Sequence, residues 1–91
     1  MYHVLTSTYL QPLDVIGQTR PAHLEFIEGE VAAGRLLIGG RQESGVGGVL
    51  VTGDISTEEV QSIVERDPYT QAGVARYEVV SYNAVVRAPG L

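Results

Sequence analysis

Cysteine is absent from this chain of 91 residues, and lysine is absent too. Without a thiol there is neither a disulfide framework nor a thiolate metal site, and two histidines, His3 and His23, are too few for a structural zinc centre. No metal and no cofactor are expected. The six basic residues are all arginine and are outnumbered by eleven acidic ones, for a net charge of −5. That balance offers no basic stripe to neutralise phosphates, so no nucleic-acid partner is expected, and acidic membranes are disfavoured for the same reason. No apolar run approaches the roughly 18 residues of a spanning helix. The opening MYHVLTSTYL lacks the basic start and small-residue cleavage site of a signal peptide, which makes a cytoplasmic protein the default expectation. Repeats, low-complexity tracts and linkers are missing as well. Residues 1–91 therefore read as one domain whose tail, from about residue 86, is loose. A domain this short buries only about 60 to 65 per cent of its unfolded surface, so self-association is expected to assist folding.

What is present falls into the order β-α-β-β-α-β. YHVLTSTY is β-branched and aromatic and predicts a strand, and the breaker-rich LQPLDVIGQT that follows predicts a loop. Thr19 or Arg20 can cap a helix with Pro21 in its first turn, Leu24, Ile27 and Val31 on one face, and Gly34 at its end. RLLIGG and VGGVLVTG predict a hairpin with the polar tip RQESG. Ser56 with Glu59 forms a capping box for a second helix carrying Val60, Ile63 and Val64, which Pro68 stops. ARYEVVSY closes the pattern by alternation, with Ala75, Tyr77 and Val79 on one side. This order predicts an α+β, ferredoxin-like sandwich, a four-stranded antiparallel sheet with both helices on one face. Strands two and three are apolar on both sides, and two helices cover only one, so a homodimer through the sheet is expected.

Topology brings chemistry together. In such a sandwich the start of helix one and the end of helix two share an end, which puts His23 and Asp67 side by side. A carboxylate beside an imidazole fixes the tautomer and leaves the other ring nitrogen to move protons near neutral pH. Arg20 and Arg41 can neutralise an anionic substrate, helped by the positive end of helix one. Each residue also has a plainer reading. A first-turn histidine is more often packing than catalysis, Asp-Pro commonly makes an Asx turn, both arginines can be solvated, and Tyr69 can cover a pocket rather than act in it. Ser44 reads as a turn residue, and His3 lies at the opposite end.

Three stretches carry a resemblance: Arg20-Pro21-Ala22-His23-Leu24, Gly34-Arg35-Leu36-Leu37 with its nearby glycine, and Asp67-Pro68-Tyr69 followed by Ala72-Gly73-Val74. Together they resemble the YCII-related (YciI-like) family, in the wider group with muconolactone isomerase, over nearly the whole chain. The resemblance implies small dimeric ferredoxin-like proteins with a His–Asp pair in a pocket, here His23 and Asp67. Where family members often carry Gly-Pro after strand two, this chain has Gly39-Gly40-Arg41, a flexible glycine and a cation in place of a rigid turn. The implied reaction is cofactor-free proton transfer, an elimination, dehydrochlorination or isomerisation of a small cyclic or aromatic-derived compound. Arg20, Gly39, Arg41 and Tyr69 would contact that small molecule. A non-catalytic binding module and a purely structural dimerisation unit are the alternatives.

Overall fold

The computed structural model describes all 91 residues. β1 (Tyr2–Tyr9) leads into α1 (Leu13–Ala32), then β2 (Leu36–Arg41), β3 (Gly48–Thr52), α2 (Thr57–Arg66), a short α3 (Pro68–Gln71) and β4 (Ala75–Tyr82). The strands form one antiparallel sheet in the order β2-β3-β1-β4, the ferredoxin-like arrangement that the element order predicts. Alternation along β1 sends His3, Leu5 and Ser7 to the covered face. There Leu5, Leu36 and Leu50 meet Ile27 of α1 and Val60 and Ile63 of α2. The opposite face carries Val4, Ile38, Val51 and Val80, of which Ile38 is 67% and Val80 65% exposed.

The first helix starts well before the position expected from sequence. Pro12 stands at its N-cap, its carbonyl accepting from the N–H groups of Val15 and Ile16, so most of the expected loop LQPLDVIGQT is helical. Pro21 consequently lies inside α1 rather than in its first turn. It has no N–H to give the carbonyl of Gly17, a loss that tertiary packing offsets. The buried stripe is also not Leu24, Ile27 and Val31: Leu24 and Val31 are over 40% exposed. It runs instead through Ile16, Thr19, His23, Ile27 and Glu30, at helical spacing but mixed in polarity. Gly34, at φ +79°, closes α1 in a Schellman motif, with Gly34 N–H on the Val31 carbonyl and Arg35 N–H on that of Glu30.

Glu30 is buried, and two arginines hold its carboxylate: Arg35 Nε at 2.5 Å and Arg66 Nη2 at 2.6 Å. Burial acts to raise its pKa, and the hydrogen bonds and charges of Arg35 and Arg66 outweigh it, holding Glu30 below the usual carboxylate range. A depressed folded-state value contributes stability at neutral pH that is lost as pH falls through it. Glu30→Gln is therefore expected to cost about 1–3 kcal/mol at pH 7. In urea unfolding, the difference from wild type should shrink toward pH 3, and an unchanged difference would contradict this assignment.

Candidate active site

Asp67 is the residue between two helices. α2 ends at Arg66, and Pro68 occupies the first turn of α3, which forces the preceding residue into the extended conformation seen at Asp67, φ −62° and ψ 127°. From there its Oδ1 accepts the N–H of Tyr69 at 2.9 Å, capping α3. The expected Asx-type role and the expected pairing with histidine turn out to be one arrangement, because the same Oδ1 accepts from His23 Nδ1 at 2.8 Å. Oδ2 accepts from the Tyr77 hydroxyl at 2.5 Å. The carboxylate is fully buried and has three donors.

His23 sits about three turns into α1, not in its first turn. The helix dipole acts within the first turn only, so the expected help from a positive helix end does not reach His23 or Arg20. The ring is oriented by side chains instead. Its Nδ1 faces an acceptor-only carboxylate and so carries the hydrogen, which leaves Nε2 as the free nitrogen. Tyr69 stacks on the imidazole at 3.9 Å between centroids and 8° between planes. The side chain keeps 13% of its surface exposed, enough to meet a small molecule.

His23 opens onto a pocket of about 90 Å³, small beside the roughly 300–1,000 Å³ of drug-sized ligand clefts and of a size for one ring. Arg20, Gly39, Arg41 and Tyr69 all line it. Arg41 Nε donates to the Tyr9 hydroxyl at 3.2 Å, and its guanidinium lies 5.6 Å from that ring's centroid. Arg20 has no ion pair or side-chain hydrogen bond within the protein. Gly39, Gly40 and Arg41 do not form a turn. They belong to β2, opposite Leu50, Val49 and Gly48, and a Cβ at position 39 would lie 2.5 Å from Leu50 Cδ2, so the leucine side chain would have to shift to admit it. No three His, Cys, Asp or Glu side chains converge in a way that could hold a metal ion.

Three hydroxyl-bearing lining residues were not singled out from sequence as part of the site: Ser7, Tyr9 and Tyr77. The alternation of ARYEVVSY had put Tyr77 on one face with Ala75, but only the sheet order shows that face to be the one beneath Asp67. Burial raises the Tyr77 pKa far above the ordinary tyrosine value, and the charge and hydrogen bond of Asp67 add to it, so Tyr77 remains a donor. Burial likewise raises Tyr69. His3 is buried at the other end, its Nδ1 against Ser81 Oγ and its Nε2 against the Ile55 carbonyl.

Tyr77→Phe leaves Asp67 Oδ2 without its protein donor and is expected to destabilise the fold by about 1–3 kcal/mol at pH 7. A folded value raised above the unfolded one gives stability that is full below the unfolded pKa and declines as pH rises beyond it. Urea unfolding should show a constant gap between wild type and variant from pH 7 to 9 that narrows above about 10. A gap that widens there would contradict the assignment.

Known proteins share this architecture. A solved structure of 5-chloro-2-hydroxyhydroquinone dehydrochlorinase from Burkholderia phenoliruptrix, in complex with 2,5-dihydroxybenzoquinone, superposes with a TM-score of 0.74 at 26% identity, covering 91% of this chain and 94% of that one. Over 24 residues, 26% of this chain and the whole of the matching sequence, the chain is 75% identical to a "12 kDa protein" of Mycolicibacterium smegmatis. The model of the YCII-related domain matches residues 1–83, and the chain belongs to that family.

Proposed function

We propose that this chain is a lyase-like enzyme that eliminates a leaving group from a small ring compound by proton transfer at the His23–Asp67 pair. The contact between His23 Nδ1 and the buried Asp67 carboxylate, at 2.8 Å, carries the reading. With Nδ1 committed to Asp67, Nε2 is the basic nitrogen, and it accepts a proton from a ring carbon or hydroxyl. On an aromatic ring the imidazolium returns that proton to the carbon bearing the leaving group; Nε2 then takes the proton of a second ring hydroxyl, whose oxygen becomes a carbonyl as the leaving group departs with its bonding pair. Asp67 stabilises the imidazolium so formed, and Tyr69 keeps its plane. Arg20 and Arg41 offset negative charge developing on a ring oxygen. Such a step is a proton transfer, for which these side chains suffice. The likeness to a dehydrochlorinase supports the reaction class.

The test is chloride release from 5-chloro-2-hydroxyhydroquinone. Wild type should release chloride above the spontaneous rate, and His23→Ala should reduce kcat by about 10²- to 10⁴-fold. Asp67→Asn should lower kcat while the fold, checked by circular dichroism, persists. Binding without turnover in wild type would make the pocket a binding module instead.

We also propose that the open face of the sheet packs against a second copy, since Ile38, Val51, Val4 and Val80 form an apolar band across it. Sedimentation should give a dimer for wild type and a monomer for Val80→Glu, and a monomeric wild type at micromolar concentration would remove this proposal.

A further inference from the structure

Ser7 lies on β1 with its side chain on the covered face, 3% exposed, and lines the same pocket as His23. Its surroundings hold it firmly. Gln42 Nε2 donates to the Ser7 carbonyl at 3.1 Å, and the N–H of Gly48 donates to Ser7 Oγ at 2.7 Å. The approach depends on Gly47 and is tight at Gly48. A Cβ at Gly47 would stand 1.6 Å from the Ser7 carbonyl oxygen, and one at Gly48 would stand 3.1 Å from the Gly40 carbonyl oxygen and 3.4 Å from Ser7 Oγ.

A serine hydroxyl has one hydrogen to donate as well as lone pairs to accept with. At Ser7 the accepting side is engaged by Gly48, whereas the hydroxyl hydrogen finds no acceptor within hydrogen-bond distance in the protein. A buried donor left in this state carries a free-energy cost unless something entering the pocket accepts from it. The pocket is lined by Arg20 and Arg41 and by no aspartate or glutamate, so the entering group is favoured to be negatively charged.

We propose that Ser7 is a specificity-determining residue that donates its hydroxyl hydrogen to a ring oxygen of the bound molecule, and that the pocket selects single-ring enolates or phenolates over anions lacking a ring oxygen. This rests on the reading of the pocket as the substrate site. A ring without such an oxygen leaves the Ser7 hydroxyl unpaired when it displaces water, and the loss falls on affinity for that ring. The residue acts in recognition, and no bond to Ser7 is formed or broken.

Calorimetric binding of two probes to the full chain distinguishes the outcomes. One is 2,5-dihydroxybenzoquinone, with oxygens around its ring; the other is benzoate, whose single carboxylate is taken up by the arginines. Ser7→Ala should weaken the quinone about tenfold and leave benzoate within about twofold. Ser7→Cys, whose sulfur still accepts from Gly48 but donates weakly, should show the same selective loss if the alanine variant does not fold. Equal loss for both probes, or none for either, overturns the role of Ser7. Arg20→Met and Arg41→Met separate that result from failure of the site itself: if wild type binds a probe but neither arginine variant weakens it, the pocket is not where these anions bind, and the underlying reading falls too. Wild type that binds neither probe overturns both.

Discussion

A fully buried carboxylate has to be surrounded by donors, and the position of Asp67 between two helices makes that requirement organise one end of the molecule. Its donors come from three directions: the backbone of α3, His23 of α1 and Tyr77 of β4. No single element can satisfy it. The carboxylate therefore couples the first helix, the last strand and the connection between α2 and α3, and the orientation of the imidazole follows from the same bonds that make the fold tolerate a buried charge.

A second buried carboxylate supports the first. Glu30 lies two turns beyond His23 on the same stripe of α1 and binds Arg66, the residue immediately before Asp67. Arg66 also donates to Ser62 and lies 5.1 Å from the Phe26 ring, so it is fixed to both helices. The end of α2 is thus held against α1 on both sides of the peptide that joins Arg66 to Asp67. Histidine and aspartate meet across a contact whose geometry is set by a neighbouring ion pair as well as by apolar packing of Ile27 and Ile63. The mixed stripe of α1 has the same origin. Its ionisable members, His23 and Glu30, are bound to charged partners.

Open space at the site comes from glycine and close backbone approach. Gly39 passes against Leu50, whose side chain would have to shift for a Cβ, and Gly47 presses against the Ser7 carbonyl, where a Cβ would collide with backbone. The strands can then run together beneath the pocket while Arg41, on the same strand as Gly39, reaches Tyr9 at its rim. Tyr69, Tyr77, Arg20 and Arg41 line the pocket around His23.

Much of this is visible in the residues alone, because local rules act over short distances. The capping box at Ser56 and Glu59 opens α2 as the pattern dictates, Pro68 ends it, and Gly34 closes α1, each for reasons contained in a few consecutive residues. Element order and the handedness of crossovers bring α1 alongside the end of α2 that holds Asp67, although His23 lies in the middle of α1 and not at its start. The beginning of α1 could not be read this way. Pro21 and the breakers before it argue for a loop, and only packing of Ile16 against Tyr69, Val74 and Ala75 makes the early helix favourable. Tyr77, Tyr9 and Ser7 were hidden for a related reason: alternation tells which residues share a side of a strand, but not which neighbours lie across from them. What the sequence determined by itself was the order of the four strands and two long helices, the end of α1, the start of α2 and the pairing of one histidine with one aspartate. The tertiary structure alone decided where α1 begins, which side chains complete the carboxylate's donors and which hydroxyl is left with a hydrogen to give, because each depends on contacts between residues far apart in the chain.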